Sequence, residues 1–133
     1  MRLVVFGLAV LLAALDVVAG SIKIETLPTL PRPVSNNAVA LVSTAQGDYL
    51  YSFLGLGSGK TWQDISSGAA VLNPGATTWT ELEPVPGAEG RLAASAVSAA
   101  GAAWLFGGYT VAEDGSEKSY EVMAKAEIKT LSM

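Results

Sequence analysis

The sequence predicts an all-β fold: short antiparallel strands in about one and a half four-stranded units, behind an N-terminal signal helix. Three observations predict it. A run near the start of the chain returns 53 to 55 residues later. Within each copy, small or apolar residues recur at every second position, the mark of a half-buried strand. Glycine turns separate these runs at matching points.

The leader comes first. Arg2 is a short positive region, and residues 3–15 form an apolar run of 13 residues that Asp16 interrupts. A membrane helix needs roughly 20. Val17, Val18, Ala19 and Gly20 then place small residues where a signal peptidase reads. Residues 1–20 are therefore read as a signal peptide, with the mature chain starting near Ser21. A periplasmic or secreted protein follows, with no membrane attachment after cleavage. The alternatives are an uncleaved anchor and a buried core helix.

Residues 21–30 read as an outer strand without its partner, since Ile22, Ile24 and Thr26 alternate with Lys23 and Glu25. Residues 31–84 form the first unit, with strands expected at about 36–44, 48–54, 67–72 and 77–82. Gly47 and Asp48 turn between the first two, and Asn73, Pro74 and Gly75 between the last two. Thr77, Thr78, Trp79 and Thr80 have the β-branched and aromatic character of an outer strand.

The second unit, 85–119, repeats the plan. Leu27, Pro28 and Pro31 return as Leu82, Pro84 and Pro86, and Arg32 returns as Arg91. Strands are expected at about 92–99 and 102–107, followed by a loop over 109–119. The tail, 120–133, changes texture. Its Ala, Lys, Glu and Met favour helix, although Val122, Ala126 and Ile128 also fit a poor strand. Truncation of a longer reading frame is the favoured explanation, a short C-terminal helix the other.

A single four-stranded unit cannot bury both of its faces, and at least three units are normally needed. The expected partners are therefore missing units of the same kind, or self-association.

Composition excludes several functions. The chain of 133 residues has no Cys and no His, which removes disulfides, thiolate metal sites, Cys nucleophiles and Ser-His-Asp triads. Its formal charge of −4 leaves no basic stripe for nucleic acid. No cofactor, metal site or catalytic group is expected.

The double glycine Gly107 and Gly108 after Trp104, Leu105 and Phe106, the Trp79 to Leu82 spacing, and Arg91 resemble kelch repeats. The first unit departs from that pattern, with Leu54 and Gly55 in place of the double glycine. The resemblance covers about residues 22–112 and implies a kelch-type β-propeller, of which this chain looks like an N-terminal fragment. The first-unit loop from Leu56 to Trp62, and Pro86, Gly87 and Arg91, further resemble bacterial exported kelch proteins of the N-acetylneuraminate epimerase type. In that group the proposed catalytic acid and arginine lie in later blades, so no catalytic residue carries over to this chain.

Four residues are candidate ligand contacts. Arg91 suits an anionic sugar through bidentate guanidinium contacts, or else packs the blade. Asn36 and Asn37 open the innermost strand, where turn chemistry accounts for them equally well. Trp62 lies in a loop and suits stacking on a sugar ring. Trp79 and Trp104 fall at repeat positions and are read as packing residues, with Gly107 and Gly108 as structural motif. Gly55, Gly57, Gly59 and Lys60 mimic a phosphate loop, but the spacing is one residue short of the motif. Glu113, Asp114 and Glu117 lack calcium-loop spacing.

Two functions compete: an exported kelch module binding a carbohydrate or protein ligand, and a fragment of a sugar epimerase or mutarotase. A copper oxidase is disfavoured by the missing imidazole and thiolate.

Overall fold

The computed structural model describes residues 22–86, 89–120 and the backbone of 124–127. The expected signal peptide lies outside the described residues, as do Gly87 and most of the tail.

The first unit is one four-stranded antiparallel sheet. Its strands are β1 (Ala38–Thr44), β2 (Gly47–Leu56), β3 (Ile65–Leu72) and β4 (Thr80–Leu82), in that spatial order. Alternation sets the faces: Ala38, Ala40 and Val42 are buried, while Val39 and Leu41 are exposed. The register pairs Ala38 with Phe53, Ala40 with Tyr51 and Val42 with Tyr49, so the aromatic side chains of β2 share the buried face. The Tyr51 and Phe53 rings stack with centroids 5.5 Å apart.

The second unit has β5 (Ser95–Ala99), β6 (Ala102–Phe106), and a hairpin of β7 (Tyr109–Val111) and β8 (Glu117–Ser119). β9 (Ala124–Glu127) pairs with the open edge of β6, where a third blade strand belongs. One expectation changes here, and one left open is decided. The 109–119 loop is a hairpin. Part of the tail is a strand, because the unpaired backbone of β6 offers a ladder that outweighs helix propensity in a segment too short for a stable helix.

The two units stack through the face of β1 and β2. Val42, Tyr51 and Phe53 join Ala103 and Leu105 of the second unit in one core, with Ala94 and Ala96 packed against it. Large rings on one side meet small residues on the other, which lets the sheets approach closely. Phe53 and Leu105 are each 1% exposed. Burying such a side chain contributes about 1.5–3 kcal/mol.

The connection between units runs along the end of the first sheet. Gly55 N–H donates to Arg91 O at 2.9 Å, Arg91 N–H to Ser66 O at 3.3 Å, and Val85 N–H to Ser67 O at 3.0 Å. Gly90 is obligatory on this path, since a Cβ there would stand 2.0 Å from Ile65 O.

Backbone geometry gives the repeat a finer register. Asn36 and Ala93 have φ of 54° and 53°, and bridges follow the same pattern, Ser35 with Leu56 and Leu92 with Tyr109. Leu54 and Gly55, at φ 62° and 106°, match Gly107 and Gly108, at 62° and 87°. Leu54 thus adopts a left-handed conformation that glycine holds in the second unit, at a cost of roughly 1–2 kcal/mol. Its side chain, 3% exposed, is buried in the core in return. Arg91 precedes Leu92 as Val34 precedes Ser35, so its counterpart is Val34 and not Arg32. Arg32 instead donates to Glu81 at 2.8 Å, an exposed pair beside β4.

Candidate ligand-binding end

Strand direction brings the candidate residues together. β1 and β3 begin, and β2 ends, at one end of the first sheet, and β5 begins and β6 ends beside them. Asn36 and Asn37 lead into β1, Trp62 sits between β2 and β3, and Arg91 leads toward β5. The turns at 45–46, 73–76 and 100–101 occupy the opposite end.

The 57–64 loop is organised by Asp64. Its carboxylate accepts from the Thr61 backbone N–H at 3.0 Å and from the Thr61 hydroxyl. These bonds, the hydroxyl foremost, hold Asp64 below the usual carboxylate range. Gly57 N–H donates to Asp64 O at 2.9 Å, closing the turn. The glycines therefore enclose a carboxylate, the opposite charge from a phosphate cradle, and a three-residue 3₁₀ turn, Trp62–Asp64, follows them. Trp62 is 41% exposed on this loop.

Asn36 is exposed, while Asn37 donates from its amide to Ser52 Oγ at 2.8 Å. Arg91 is 7% exposed. One Nη donates to Gly107 O at 3.3 Å, the guanidinium lies 4.1 Å from the centre of the Tyr120 ring, and the buried Nε has no hydrogen-bond partner among the described residues. Arg91 thus ties the double glycine to the end of the β7–β8 hairpin through a charge-assisted bond and a cation–π contact.

Around it stand three residues that sequence reasoning missed. Glu89 accepts from the Tyr120 hydroxyl and pairs with Lys118 at 3.4 Å. Tyr120 first and Lys118 second hold Glu89 below its ordinary value, and Tyr120 and Glu89 hold Lys118 above its own. No local signal in the sequence joins Glu89 to Lys118, 29 residues apart. The hairpin joins them, and its region reads as featureless loop.

The remaining motif residues sit elsewhere. Trp79 is half-buried and donates from its indole to Pro28 O at 2.8 Å, holding the N-terminal segment against the outer edge. Trp104 donates to Ala99 O at 3.0 Å from the face of β6 that points away from the first unit. Neither belongs to the core between the units. Residues 22–27 are not in a strand, and Ile22 and Ile24 are each 90% exposed. Asp114, in the hairpin turn, accepts from Ser116 N–H at 2.9 Å.

No family model and no curated protein matches the sequence. Among solved structures the chain is similar to the structure of YjhT, with a TM-score of 0.54 and 24% identity, over 78% of this chain and 27% of that one. The chain thus spans about a quarter of that neighbour's length. A four-stranded antiparallel sheet stacked on a three-stranded one, double-glycine geometry and this likeness agree on one architecture: the chain has a kelch-like β-propeller fold.

Proposed function

We propose that this chain is the blade-forming part of an exported binding module, and that its ligand face is the end carrying Asn36, Asn37, Trp62 and Arg91. One observation carries the reading: four polar or aromatic residues spread over 56 positions of sequence converge on a single end of two stacked blades. Trp62 offers an exposed ring for a sugar face, and Asn36 offers an unburied amide at the same end of the sheet. Arg91 supports the face from beneath by holding Gly107 and Tyr120 in place. A carbohydrate is the ligand class these groups fit best.

The test is a titration of the isotopically labelled chain with N-acetylneuraminate, neutral hexoses and glucuronate, followed by amide shifts. Shifts at residues 36–37, 57–64 and 89–92 are expected, and their loss in Trp62→Ala. Shifts confined to residues 45–46, 73–76 and 100–101, or no shift with any sugar, would overturn the reading.

A second reading takes the chain as part of a sugar epimerase or mutarotase of the N-acetylneuraminate epimerase type. The resemblance of the 56–62 loop and the fold likeness to YjhT support it. Accelerated exchange between N-acetylneuraminate anomers, read by proton NMR, is its test.

A further inference from the structure

The contact between the two blades is asymmetric, and each blade has a second face with the complementary role. Blade 1 offers Ala40, Tyr51 and Phe53, and blade 2 receives them on Ala96, Ala103 and Leu105. On the far side of blade 2, the register places Val97 and Phe106 out of phase with that receiving set. Phe106 immediately precedes the Gly107 and Gly108 pair, as Phe53 precedes Leu54 and Gly55. This far face is therefore blade 2's offering face, and Val97 is 48% and Phe106 39% exposed.

On the far side of blade 1 lie Val39 and Leu41, out of phase with the buried Ala38, Ala40 and Val42. They occupy the strand positions that Ala96 and Ser98 hold in blade 2, so this is a receiving face. The segment at 30–34 lies near Ser52 and Ala70 on the same side of the sheet, yet Val39 and Leu41 remain 51% exposed. Both ends of the two-blade stack thus show apolar surface, and the two ends are unlike.

We infer that the occupant of each face is a second copy of this chain. The Val97 and Phe106 face of one copy seats on the Val39 and Leu41 face of the next. The argument is continuity: the proposed contact repeats, between copies, the backbone plan and face roles of the contact already made between blades 1 and 2. Such head-to-tail contacts are heterologous, and form a ring when the rotation closes.

The test is sedimentation velocity on the full chain over a concentration series, with Leu41→Arg and Phe106→Arg. The wild type is expected to associate as concentration rises. Each variant, folded by far-UV circular dichroism, is expected to stay monomeric. Mixed together, the two are expected to form a one-to-one dimer, since each keeps the face the other has lost. Val39→Lys and Val97→Lys provide a second pair should either arginine variant fail to fold. A wild type that stays monomeric throughout, association that survives in the single variants, or a mixture that stays monomeric would each overturn the inference.

Discussion

Phe53 and Phe106 occupy the same place in the repeat, immediately before a pair of left-handed residues, yet Phe53 is 1% exposed and Phe106 39%. Tyr51 and Trp104 make a parallel comparison: the tyrosine is buried between blades and the tryptophan half-buried on the far face. The difference lies in the neighbour. Blade 1 has Ala96 and Ala103 against it, and the described residues place nothing equivalent against blade 2. In this architecture a residue's contribution is set by which face of the stack it occupies, more than by its own hydrophobicity.

Truncating the two phenylalanines breaks that comparison most directly. Phe53→Ala should destabilise the chain by about 3–5 kcal/mol, through lost transfer energy and the cavity left behind. Phe106→Ala, measured at dilute concentration, should stay within about 1 kcal/mol of wild type. Urea melts followed by tryptophan fluorescence read both. Equal losses would show that the blades do not differ in burial.

The connection between blades yields the next effect. Gly90→Ala pushes a methyl into Ile65 O and should cost about 1–3 kcal/mol, as other overpacked sites do. Gly75→Ala, where a Cβ would meet nothing within 4 Å, carries only the strain of its φ of 71°. A smaller cost at Gly90 than at Gly75 would dissociate the connection from the sheet end.

The turn between β5 and β6 sharpens the comparison from blade 2. Ala100 and Gly101 both have positive φ, 50° and 72°, the pattern of a tight two-residue hairpin turn. Ala100→Gly should relieve left-handed strain and stabilise blade 2 by about 0.5 kcal/mol, after the added freedom of the unfolded chain is subtracted. A thermal melt that falls would argue against this turn.

The smallest effect is at the end of the sheet that carries Trp62. Asp64 is held below its ordinary value, so its contribution to loop order is present above the usual carboxylate range and lost as pH falls through its lowered pKa. The fluorescence of Trp62, read in a variant lacking Trp79 and Trp104, should change with a midpoint below that of an unperturbed aspartate. Asp64→Asn should abolish the transition. A midpoint at or above the ordinary value would place Asp64 outside this loop's hydrogen bonding.

Much of the architecture is legible in the sequence, because period-two alternation and turn residues are local signals. β1, β2, β3 and the β5–β6 pair fall close to where the pattern puts them. The repeat is legible only coarsely. Sequence aligns Arg32 with Arg91, while backbone geometry aligns Val34 with Arg91, because an exposed pair with Glu81 and a buried clamp on Gly107 look alike in one dimension. Leu54 hides a glycine conformation behind a leucine, since the core compensates its strain. β9 is invisible to propensity, because its strand state comes from the open edge of β6. At the candidate site, Asn36, Asn37, Trp62 and Arg91 are recognisable by residue type and position. Glu89, Lys118 and Tyr120 are not, since only the β7–β8 hairpin brings them to Arg91.

Native-state hydrogen exchange tests most directly whether the two blades form one stacked unit. Gly55 N–H bonds across the connection to Arg91 O, and Leu92 N–H bonds within blade 2 to Tyr109 O. If the blades stack as one cooperative body, both amides open with the same free energy, and Phe53→Ala lowers both equally. If Leu92 exchanges freely while the amides of β2 stay protected, blade 2 does not depend on blade 1 and the stacked-blade account fails.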